Sequence, residues 1–163
     1  MADNGYDSSR NPLVCPDSAG EPAKETALPD FALHPQLAVD TSPVTALDLS
    51  DLLLMNDARF PWFILVPRRA DITEIIDLDA ADRTALLDEI VAVSEALRSM
   101  TGCDKLNVAA LGNQTPQLHV HVIARFRSDA AWPGPVWGKG TAVAYDDAAR
   151  DRLTAKITLL LNA

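Results

Sequence analysis

The chain has little of what several protein classes require. Its 163 residues include only two cysteines, Cys15 and Cys103. That excludes a disulfide-stapled scaffold and leaves no cysteine spacing of the kind that binds zinc. Basic residues are scarce: 14 Lys and Arg stand against 23 Asp and Glu, a formal charge of −9. A field of that sign disfavours nucleic acid, although a small anionic ligand remains accessible to cations gathered locally. Long apolar runs are absent too. The longest, Leu52–Met55 and Trp62–Val66, fall far short of the ~20 residues a membrane helix needs. Met1 to Tyr6 are polar and acidic, unlike a secretory signal. These absences predict a single soluble domain in a reducing, cytoplasmic setting, with no nucleic acid and no membrane as partner.

Histidine is equally sparse, and its distribution is uneven. Of three histidines, two fall inside one strongly alternating stretch, Gln117-Leu118-His119-Val120-His121-Val122-Ile123. At a period of two, Leu118, Val120 and Val122 share one face, and Gln117, His119 and His121 share the other. With a rise of ~3.3 Å per residue, the two imidazoles start roughly 6.6 Å apart and can reach one phosphate, one metal or one water.

The rest of the chain is organised around that stretch. Residues 1–28 are rich in Asp, Ser, Pro, Gly and Ala and read as a disordered tail. Residues 29–141 read as the domain, and 142–163 as a C-terminal helix packed on it. Within the domain, 42–51 holds a short strand, and 52–56 and 62–66 form an antiparallel hairpin across Asp57-Ala58-Arg59-Phe60-Pro61. Asp79 to Met100 is the clearest helix, with Asp79 as N-cap, Asp82 in the first turn and Gly102 as its stop. Its stripe is Leu86, Leu87, Ile90, Val91, Val93, Leu97 and Met100. A strand over 106–111, a loop over 112–116 and the histidine strand over 117–124 follow. Residues 132–138, with two prolines and two glycines, are irregular, and a final helix runs from Asp146 or Asp147 to Leu161. Strands grouped around one long helix predict an α+β domain with an antiparallel sheet.

Two neutral imidazoles side by side suit attack on phosphorus. One is the nucleophile; the other orients an oxygen or donates a proton. A His-x-His metal pair is the other functional reading and needs a further ligand. His34, the third histidine, sits beside a proline, and nothing in the sequence brings it near the pair. The loop Gly112-Asn113-Gln114-Thr115-Pro116 offers backbone and side-chain donors for an anion. Asn107 can project onto the same sheet face. Asn56-Asp57 reads either as turn capping or as an acceptor for ribose hydroxyls. Arg68, Arg69, Arg125 and Arg127 read as exposed surface, and Trp132 and Trp137 as core, interface or wall.

The motif resembles that of the histidine triad (HIT) family, His-φ-His-φ-His-φ-φ, with Gln117 at the first position. The surroundings resemble it as well: 52–56, Asp57 and 62–67 ahead of the motif, Asn107, Gly112 and Gln114 upstream, and a tryptophan-containing segment after it. The likeness covers roughly residues 30–140. It implies an α+β fold with a five-stranded antiparallel sheet, one long helix and a homodimer. It also implies a nucleotide hydrolase or transferase cleaving at the α-phosphate, of the phosphoramidase or dinucleoside polyphosphate type. By the same resemblance His119 is the nucleophile, His121 contacts phosphate or leaving group, Asn56 and Asp57 hold ribose, and Asn107, Gly112 and Gln114 hold phosphate oxygens. No cofactor is required, and a divalent cation is left open. Gln117 is the departure. A glutamine cannot carry a proton charge. If the first position shuttles protons, a contribution of ~10²–10⁴ is lost and a nucleotide-binding module with little catalysis is the alternative.

Overall fold

In the computed structural model, which describes residues 31–163, the alternation around the histidines becomes two faces of one sheet. Five antiparallel strands run β1 (Thr41–Ala46), β2 (Ser50–Met55), β3 (Trp62–Pro67), β4 (Lys105–Ala109) and β5 (Val120–Arg125) along the chain. Their spatial order is β1-β2-β3-β5-β4. The expected tail, residues 1–28, and Cys15 lie outside the described residues.

β3 is central and buried throughout, as an all-apolar run of β-branched and aromatic residues with no polar face requires. It pairs with β2 through Leu52↔Leu65 and with β5 through Trp62↔Ile123 and Ile64↔His121. One sheet face carries Leu52, Leu54, Phe63, Leu65, Val120, Val122 and Ala124, packed against helices α2 (Ala80–Thr101) and α3 (Asp147–Leu161). The opposite face carries Leu53, Trp62, Ile64, Val66 and Ile123, covered by Leu37 of the short helix α1 (Pro35–Asp40) and by Phe60, Ala131 and Val136.

α2 begins where the Asp79 carboxylate accepts from the Asp82 N–H at 2.8 Å and stops at Gly102, whose φ of 64° suits glycine. Its buried stripe is Leu86, Val93, Ala96 and Leu97. Leu87 and Val91, assigned to that stripe by spacing, are 60% and 48% exposed. The turn between β1 and β2 is closed from α2, where Glu89 Oε1 accepts from the N–H groups of Leu49 and Ser50 at 2.7 and 3.2 Å. That long-range clamp divides 42–51 between two strands, where the sequence predicts one. α3 is capped by Asp146 and packs on α2 and β1. The histidine strand begins at Val120 rather than 117, because Leu118 N–H pairs with Ile72 O outside the ladder.

Leu97 is fully buried in the helix-side core. Leu97→Ala is therefore expected to lower unfolding stability by about 3 kcal/mol, measured by urea denaturation.

Candidate active site

The imidazoles of His119 and His121 lie on the sheet face away from α2, with ring centroids 4.9 Å apart and planes at 82°. Both are buried, 7% and 4% exposed. Each ring is held through Nδ1, in opposite senses. His119 Nδ1 lies 2.7 Å from the backbone carbonyl of Gln117. A carbonyl only accepts, so Nδ1 carries the proton and Nε2 keeps its lone pair. His121 Nδ1 lies 3.0 Å from the indole N–H of Trp62. An indole only donates, so here Nδ1 is bare and the proton sits on Nε2. One ring thus presents an acceptor and the other a donor. Trp137 packs edge-on against both His121 and Trp62, at 5.2 and 5.5 Å. Burial, with the adjacent His119 adding to it, pushes the His121 pKa down to about 3.

Gln117 contributes its backbone to this pair, while its side chain is engaged elsewhere. The amide Nε2 donates to Ala32 O, and Oε1 accepts from His34 N–H, both at 2.9 Å. His34 caps α1 with its ring, Nδ1 accepting from Gln36 N–H at 3.1 Å. The backbone of the third histidine is therefore brought to position 117, which nothing in the sequence announces.

The other predicted residues are placed as follows. Asn107 is opposite Ile123 in the β4–β5 ladder, on the histidine face, and its Oδ1 accepts from Arg125 at 2.7 Å. Arg125 is 2% exposed, not a surface residue. It lies on the histidine face, and its burial is balanced by Asp129, at 2.8 and 3.0 Å, and by Gly134 O at 3.0 Å. The Arg125 hydrogen bonds hold the Asp129 carboxyl down at about pKa 2 and fix the loop leading to Trp137. Asp57 is buried, which alone would raise its pKa, but hydrogen bonds from Arg59 and Val143 outweigh this and keep it low. Asp57 Oδ1 accepts from Arg59 N, Arg59 Nε and Val143 N, and Oδ2 from the Arg59 guanidinium at 2.6 Å. Asn56 accepts from Ser42 Oγ at 2.7 Å. Gly112, with φ 70°, and the exposed Gln114 lie in the β4–β5 loop. Two grooves flank the site, one lined by Gln117, His34 and Thr73, the other by Asn107, Arg98 and Trp137. Among the described residues no group of three His, Cys, Asp or Glu side chains is arranged to hold a metal ion.

Sequence reasoning passed over Trp62 as a site residue. Its signal was weak: a buried indole needs an acceptor, but naming that acceptor requires the β3–β5 register, 59 residues apart in sequence.

The family model of the HIT domain matches residues 36–128. A histidine triad protein from Bradyrhizobium japonicum is 48% identical, with 82% of this chain and 99% of that chain covered at a TM-score of 0.81. One from Marinobacter aquaeolei VT8 is 48% identical, with 82% and 97% covered at 0.80. One from Sinorhizobium meliloti 1021 is 45% identical, with 79% and 96% covered at 0.78. No functionally curated protein matches the chain.

Because His121 binds a proton far less readily in the folded chain than at its unfolded value near 6.5, the unfolded state gains protons first as pH falls. Its contribution to stability is full above about pH 6.5 and is lost progressively towards about pH 3. Urea unfolding of the native protein and His121→Gln at pH 7 and pH 5 is expected to show a smaller loss on acidification in the variant.

Proposed function

The chain belongs to the HIT-domain family, and on that premise we propose that it is a hydrolase or transferase cleaving a nucleotide at the α-phosphate through a nucleotidyl-histidine intermediate. The observation that carries this reading is the fixed tautomer of His119, whose Nδ1–H is held by Gln117 O and whose Nε2 lone pair is free. That nitrogen attacks phosphorus, the new N–P bond replaces the bond to the leaving group, and the imidazolium so formed is stabilised by the same carbonyl. His121 steadies a phosphoryl oxygen through Nε2–H. Water then displaces His119 and releases a nucleoside monophosphate.

Asn107, Gly112 and Gln114 are assigned to the phosphate side. Asn107 stands on the correct face, and the positive φ of Gly112 permits a backbone amide to turn towards an anion. The Asn56-Asp57 turn is assigned to ribose. Four N–H donors already reach the Asp57 carboxylate, so a ribose hydroxyl competes there with Arg59. Gln117 acts through its carbonyl and needs no charge of its own. No cofactor is needed, and a divalent cation enters only with the substrate's phosphates.

Among the described residues no helix is long and apolar enough to cross a membrane. A second copy of the chain is the proposed partner. β4 is a sheet edge carrying the exposed Val108, and edge pairing would satisfy its open backbone groups.

Incubation with a nucleoside phosphoramidate or a dinucleoside polyphosphate is expected to give, with at least one of the two, turnover that falls on the order of 10⁴-fold or more in His119→Ala. Equal turnover in both proteins rules the mechanism out. Saturable monophosphate binding without product assigns a binding module instead. Sedimentation is expected to show a dimer that Val108→Lys converts to monomer.

A further inference from the structure

Trp62 limits what His121 can do. Its indole N–H has no lone pair to offer, so the 3.0 Å contact exists only while His121 Nδ1 is unprotonated. Adding a proton there sets N–H against N–H in a buried place, with Trp137 and His119 packed on the same ring. The depressed pKa of His121, about 3, has the same direction. A neutral imidazole N–H is a good hydrogen-bond donor and a very poor acid. His121 can therefore hold an oxygen but has no proton to hand over at neutral pH. Position 117 supplies none either, because a carboxamide is not an acid and both ends of this one are tied to residues 32 and 34. Among the described residues, the hydrogen bonds and ring contacts of the two imidazoles involve no carboxyl, amine or phenol.

We propose that Trp62 holds His121 as a hydrogen-bond donor only, and so restricts the site to nucleotidyl substrates whose leaving group departs as a stable anion: phosphoanhydrides ahead of phosphoramidates and alkyl esters. This rests on the nucleotidyl-transfer reading above and narrows it to a substrate class. The step balances without an acid. The His119 Nε2 lone pair forms the N–P bond, the P–O bond breaks, and its electron pair leaves on the polyphosphate oxygen. Water then breaks the N–P bond, the pair returns to Nε2, and one water proton passes to solvent. An amine or alkoxide leaving group would need a proton that this arrangement does not provide. Trp62 is a positioning residue here, acting through His121.

The test uses the full chain and three adenosine 5′-monophosphate derivatives: the p-nitrophenyl ester, the phenyl ester and an alkyl phosphoramidate. The p-nitrophenyl ester is expected to react on the order of 10²-fold faster than the phenyl ester or more, the scale of the missing acid contribution, with the amidate slower again. Trp62→Phe keeps an aromatic ring, removes the N–H and is expected to narrow that spread. Long-range proton–nitrogen correlation spectra of isotope-labelled histidine read the tautomer directly. The native protein is expected to show His121 protonated on Nε2 alone, and Trp62→Phe a mixture, a change that mere loss of packing would not single out. Similar rates for all three substrates, or a proton on His121 Nδ1, would overturn this inference and leave nucleotidyl transfer standing. Cleavage of none, with no phosphorus–nitrogen adduct at His119, would overturn both.

Discussion

The register between β3 and β5 is the constraint on which the site depends. With Trp62 opposite Ile123 and Ile64 opposite His121, the odd-numbered residues of β5 face away from the helices, and indole and imidazole meet diagonally. A slip of one residue would turn His121 into the helix-side core and bring Val122 out in its place. Such a slip is opposed on both faces at once. Val120, Val122 and Ala124 are buried against α2 and α3, and Ile123 is buried against the cluster around Phe60 and Val136. The hydrophobic pattern that folds the domain therefore also aims the two imidazoles.

Electrostatically the pair is quiet. Among the described residues neither ring is held by a carboxylate, and two arginines are matched within the protein: Arg125 with Asp129, Arg59 with Asp57. A chain with a formal charge of −9 can still receive an anionic phosphate if the receiving groups are dipoles fixed in place. On the proposed reading, directed N–H groups would do here what a cluster of cations does elsewhere.

The local signals in the sequence carried well. Asp79, Asp146 and Gly102 mark helix ends because capping is decided within a few residues. The two imidazoles were placed on one face by alternation alone. What the sequence did not reveal depends on partners far along the chain. The β1–β2 turn is closed by Glu89 from α2. Arg125, read as surface, is buried because Asp129 and Gly134 surround it. Asp57 offers a carboxylate by motif, yet Arg59 and Val143 already occupy it. The tautomers of His119 and His121 follow from a carbonyl and an indole whose positions only the folded sheet defines.

The amide of Gln117 grips the chain at Ala32 and His34 with one donor and one acceptor. Glutamate would forfeit the donor and a shorter asparagine the reach, so few side chains can replace it. Trimming the acidic N-terminal stretch for crystallisation must therefore stop ahead of Ala32. A cut one turn further in would remove a wall of the groove beside Gln117 and the cap of α1, while α2, α3 and the five strands kept all their residues.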